Sequence, residues 1–161
     1  MTTQLNDLSI IFNLNERLFL NALDGITEEQ ASERISPHNN PVNWIATHTV
    51  WARYNMLLFL GKPAANPYQG MFENFIPYDP IVAYPSLESI KEEWKKASSL
   101  LNGALQSVTA EHLTAQSPIK APIADPTNRG TLAFLAQHES YDIGQIGLLK
   151  KYLTNEAMKY S

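Results

Sequence analysis

The sequence predicts an all-α protein, a four-helix bundle with a long crossover link. Two observations carry that prediction. Four long stretches repeat apolar residues at the three-and-four spacing of a helix face, and none alternates apolar and polar as a half-buried strand would. The connection between the second and third of these stretches, residues 62–85, is 24 residues long. A 20-residue helix is about 30 Å long, and a link of that size easily exceeds it when extended. The link can travel the length of a bundle, which marks a crossover arrangement and leaves the second and third long helices parallel.

The first long helix is expected over about residues 4–24, with Leu5, Leu8, Phe12, Phe19 and Ala22 on one stripe and Gly25 ending it. A short helix at roughly 28–34 follows Thr27 as N-cap, with Glu28 and Glu29 well placed against the positive end of the helix dipole. The second long helix is expected to start with Pro41 at its first helical position and to run to Leu60, with Gly61 as C-cap. The third starts after Ser86 and runs to about Val108, with Leu87, Ile90, Trp94, Ala97, Leu101, Leu105 and Val108 on one side. A short turn of helix follows Thr109. The fourth runs from about Gly130 and Thr131 to Thr154. Residues 116–130 offer a second link capable of spanning the bundle. The chain, 1–161, reads as one domain, with no internal repeat, low-complexity tract or linker.

Composition narrows the function classes. Hydrophobic residues make up 44% and charged residues 17%, as in a globular chain with a sizeable core. Twelve Lys and Arg stand against sixteen Asp and Glu, and no basic stripe is visible, which argues against nucleic acid as a partner. The longest apolar run, Met56–Leu60, cannot span a bilayer, so no membrane association is expected. The start of the chain has neither a basic nor an apolar signal region, and a cytoplasmic location is the expectation. With no cysteine in the sequence, disulfides, thiolate metal sites and a cysteine nucleophile are all excluded.

Polar residues interrupt the apolar rows. The fourth long helix carries Leu135, His138, Asp142, Gln145 and Leu149 at 3-4-3-4 spacing, and the second carries Trp44, His48, Trp51, Asn55 and Leu58 at 4-3-4-3. The first adds Asn15 between Phe12 and Phe19. Each such group costs about 1–3 kcal/mol if buried without a partner, so they satisfy one another, bind water, or bind something else. His48, His138 and Asp142 are a ligand set for a divalent transition metal that leaves positions open for water or substrate. His138 and Asp142, one turn apart, can bite from one helix face, with His48 on a facing helix. Asn15, Asn55 and Gln145 read either as groups that orient ligands or as paired core amides. A wet groove is the plain alternative for the His-x3-Asp pair. Glu139 reads as a rim charge, His38 as a loop residue and His112 as surface. The aromatic 62–85 link reads as a cover for the bundle, with a substrate lid as the second option. Phe134, Tyr141, Leu148 and Tyr152 form a further apolar strip on the fourth long helix. Either the link covers it within one chain or a second copy does, and a homodimer is the expectation.

Two stretches, NPVNWIATHTVWARYNMLLFLG around His48 and GTLAFLAQHESYDIGQIGLLKKYL around His138, resemble the signature segments of the DinB-like superfamily. The resemblance covers nearly the whole chain. It implies a four-helix bundle of up-down-down-up order, frequent homodimers, and a divalent metal held by three histidines. The metal would be nickel or zinc in the first place, with manganese or iron as alternatives. Two of those histidines fall on His48 and His138, and the third falls on Asp142. The usual His-x3-His-x-Gly-Gln is here His-x3-Asp-x-Gly-Gln, with Gly144 and Gln145 retained. The resemblance further implies a metal-dependent enzyme acting on a small molecule. The leading expectation is a low-molecular-weight-thiol S-transferase in detoxification or stress response, with the thiol as cosubstrate. A metal-dependent hydrolase is one alternative. A non-enzymatic small-molecule binder with a degenerate, metal-free site is the other, and Asp142 favours it.

Overall fold

The computed structural model describes residues 5–161, all helix and loop among the described residues apart from one isolated bridge between Gln116 and Thr127. Four long helices, α1 (Asn6–Leu23), α3 (Val42–Phe59), α4 (Leu87–Ser107) and α6 (Asn128–Thr154), form a bundle. Two short ones, α2 (Glu28–Ser32) and α5 (Ala110–Thr114), lie in the connections. Residue 4, where the first helix was expected to begin, lies outside the described residues. No helix among them is long and apolar enough to cross a membrane.

The ends follow the local chemistry. Thr27 caps α2 by accepting from the Gln30 amide while the Gln30 side chain accepts from the Thr27 amide, a reciprocal capping box. Ser86 caps α4 and Thr109 caps α5 through the same hydroxyl-to-amide bond. Pro41 is the N-cap of α3, with extended backbone, so the helix begins at Val42, one residue later than expected. At the other end of α3, Gly61 takes φ +69°, and the amides of Gly61 and Lys62 donate back to the carbonyls of Leu58 and Leu57, a Schellman ending. His112, expected at the surface, is half-buried there and donates from Nε2 to the Phe59 carbonyl at 3.0 Å. It satisfies one of the carbonyls a helix end leaves open. Helix α6 begins at Asn128, capped by Thr127, two residues before the expected start. Asp125 packs so closely on Gly130 that a Cβ there would collide with its carbonyl.

Cross-helix contacts fix the directions. Asn15 meets Glu139 and Ser140, and Lys150 donates to the Asp24 carbonyl, so α1 and α6 run in the same sense. His48 meets Asp142 and Arg53 meets Glu139, so α3 and α6 are opposed. Trp94 of α4 stacks on Phe19 while Asn102 donates to Glu16, so α4 opposes α1. The 62–85 link returns along α3. Asn66 donates to the Trp51 carbonyl and the Asn55 side chain, and Phe72 packs on Trp44, His48 and Trp51. A turn of 3-10 helix in it, Glu73–Phe75, places Asn74 and Phe75 in the left-handed region, and Phe75 is 99% exposed. The link therefore covers α3 and leaves Tyr141, Leu148 and Tyr152 of α6 exposed.

The rows that interrupted the apolar pattern are not the deepest ones. In α3 the row through Trp44, His48, Trp51 and Asn55 is half-buried under the link, and Leu58 is exposed. The core row beside it is Val42, Ala46, Thr49, Arg53, Met56 and Leu60. In α6 the core row is Leu132, Ala136, Glu139, Ile143, Ile146 and Lys150, also at four-and-three spacing. Both helices bury so wide an arc that two adjacent rows satisfy the same periodicity.

Candidate metal centre

The antiparallel pairing of α3 and α6 brings His48, His138 and Asp142 together. His48 Nδ1 lies 3.0 Å from Asp142 Oδ2, within hydrogen-bond reach, and His138 Nδ1 lies 3.6 Å from the same oxygen, outside it. The two imidazole centroids are 5.3 Å apart. One ligand atom from each of the three residues lies within 4.8 Å of the other two. Metal–ligand bonds of about 2.1 Å in a tetrahedral site imply ligand separations of roughly 3.4 Å, which the two measured distances bracket. His138 Nδ1 is buried and has no hydrogen-bond partner among the described groups. A buried acceptor or donor left so is costly, and an imidazole nitrogen aimed at a carboxylate and a second imidazole is chemically suited to a cation. The donor set fits a divalent transition metal.

The surroundings hold the rings in place. Trp44 lies nearly parallel to His48 at a centroid distance of 5.3 Å, Phe72 meets it edge-on at 5.2 Å, and Trp51 closes a third side at 5.6 Å. Phe134 flanks His138 at 6.0 Å. Asp142 is buried, and its second oxygen accepts from Gln145 Nε2 at 3.3 Å. Gln145 is thus in contact with the cluster. The other two amides are not: Asn15 donates to Glu139 and Ser140, and Asn55 accepts from Asn66 of the link. His38 sits in an exposed turn.

Phe72 is anchored by its neighbour Glu73. Burial pushes the Glu73 carboxyl up, but the amides of Gly70, Glu73 and Phe72 and the Trp51 indole outweigh it and hold the group below the usual carboxylate range. The indole N–H to carboxylate distance is 3.4 Å. One carboxylate therefore ties the link to α3 beside His48.

Glu139, expected as a rim charge, is 1% exposed. Its carboxylate accepts a bidentate pair from Arg53, Nε to Oε2 at 2.8 Å and Nη2 to Oε1 at 2.7 Å. The pair joins all four long helices: Arg53 Nη1 donates to Ser98 of α4, Nη2 to the Phe12 carbonyl of α1, and Asn15 of α1 donates to Glu139. The guanidinium carbon lies 3.6 Å from the Trp94 ring centroid. Arg53 was not foreseen as a site residue, although one sequence signal marked it. It is the only Asp, Glu, Lys or Arg between Val42 and Phe59, in a row that is otherwise apolar or small.

A family model described as the DinB superfamily matches residues 11–146. No curated protein matches the chain.

Proposed function

The chain belongs to the DinB superfamily, and on that premise we propose that it is a metal-dependent enzyme, a low-molecular-weight-thiol S-transferase of detoxification or stress response. His48, His138 and Asp142 would hold a divalent cation, nickel or zinc before manganese or iron. The observation that carries this is the buried, unpartnered Nδ1 of His138 beside a carboxylate and a second imidazole. A bound cation supplies one thing here, a lowered pKa for a coordinated thiol or water. The residues supply the rest. Gln145 holds one Asp142 oxygen and leaves the other turned to the imidazoles. Trp44, Trp51 and Phe72 fix the plane of His48 and keep bulk water from one side of it. As the sequence contains no cysteine, the thiol arrives as cosubstrate. A hydrolase uses the same site with water in place of thiol. We further propose a cytoplasmic homodimer built on the exposed strip of α6.

One observation favours a second reading, a binder without metal. Asp142 stands where the resemblance places a histidine, and its carboxylate is satisfied by His48 and Gln145 alone. Metal analysis of the purified protein separates the two readings. The enzyme reading expects close to one nickel or zinc per chain, His48→Ala lowering its occupancy at least about tenfold, the loss expected even for a partner that only orients a ligand. It also expects thiol conjugation in a screen of electrophiles with low-molecular-weight thiols. A protein that neither carries nor takes up nickel, zinc, manganese or iron excludes it.

A further inference from the structure

We infer that Arg53 and Glu139 are positioning residues for the His48–His138–Asp142 cluster. Their bidentate pair sets the rise and rotation of α6 against α3 at which the imidazoles and the carboxylate meet. Glu139 directly follows His138 and precedes Asp142 by three positions, and Arg53 follows His48 by five. Sliding α6 by one residue moves it about 1.5 Å and turns it about 100°. That step would carry Glu139 off the guanidinium and Asp142 off His48 together.

The apolar side chains of the two core rows do not impose this register alone. Val42, Ala46, Met56, Leu132, Ala136, Ile143 and Ile146 are aliphatic or flexible, and such cores accept repacking. A buried ion pair does not, because misalignment leaves an uncompensated charge in the core. Both partners are also held from behind. Ser98, the Phe12 carbonyl and the Trp94 face orient the guanidinium, while Asn15 orients the carboxylate. The planar fork of arginine transmits that orientation from α1 and α4 to α6.

The inference rests on the metal reading only for its affinity measurement, so the test has a metal-free arm. Arg53→Lys keeps the charge and loses the fork. Arg53→Met combined with Glu139→Met removes both charges at similar volume, a replacement that buried pairs often tolerate. Leu113→Ala, in the core of α5 and outside the cluster, controls for lost stability. In metal-free protein, the imidazole nitrogen resonances of His48 and His138 should move in both pair variants and stay in place in the control. Zinc affinity should fall about tenfold or more in the pair variants, with an altered cobalt absorption spectrum, and hold in the control. Unmoved resonances in folded Arg53→Lys, with wild-type zinc affinity, would overturn the positioning role and leave the pair a stability element. A wild-type protein that binds none of zinc, nickel, manganese and iron overturns the metal reading alone. The imidazole resonances then decide the positioning role, supporting it if they move and overturning it if they do not.

Discussion

Asp142 is the residue on which the two functional readings divide, and substituting it gives the sharpest outcome. Its carboxylate is the common neighbour of both imidazoles, at 3.0 Å and 3.6 Å. Structural zinc sites gain roughly 10–16 kcal/mol from about four ligands, which is roughly 3 kcal/mol for each. Asp142→Ala should therefore weaken zinc and nickel binding by about two orders of magnitude, at 1.4 kcal/mol for each factor of ten. Asp142→His replaces an oxygen ligand by the nitrogen found at this place in the resemblance, and should hold or raise affinity while shifting preference between the two metals. Competition against a chromophoric chelator at fixed pH and salt measures all three proteins. If all three bind equally tightly, Asp142 is no ligand and the ligand set is wrong. If wild type and Asp142→Ala bind nothing while Asp142→His gains binding, the centre has been lost in this chain and the binder reading replaces the enzyme.

Arg53→Ala or Glu139→Ala should each cost about 3–5 kcal/mol by leaving one buried charge unpaired. Thermal unfolding should then fall by roughly 10–15 °C at about 3 °C per kcal/mol for a chain of this size, and a loss of a few degrees would contradict the observed burial. The Glu73 latch should respond to acid. A carboxyl held below its usual value contributes stability that is present above the unfolded value of about 4.3 and lost as pH falls through its own lower value. Tryptophan fluorescence should report release of the link from Trp51 in that acid range, and Glu73→Gln should show the released signal near neutrality. Superimposable pH profiles for the two proteins would remove the latch. Leu148→Asp, placed in the exposed strip of α6, should convert a dimer to a monomer by light scattering at tens of micromolar. A wild-type monomer under those conditions rules out the dimer.

Periodicity and end chemistry determined the elements. Thr27, Ser86 and Thr109 announce helix starts, and Gly61 a helix end, because their side chains or backbone freedom act within three or four residues of themselves. The length of the 62–85 link was enough to imply a crossover. His48, His138 and Asp142 were legible as a group because they are chemically odd in their rows. What the sequence could not determine is which of two adjacent rows on a wide apolar helix faces the core, since both repeat at the same spacing and only neighbouring helices choose between them. That choice turned Glu139 from a rim charge into the partner of a buried Arg53, separated Asn15 and Asn55 from the candidate metal ligands, and put the His48 row under the link. A helix face is a local property, one turn in extent. Its partner is settled by packing across four helices at once, and here the charge fully buried on one is balanced only by the charge on another.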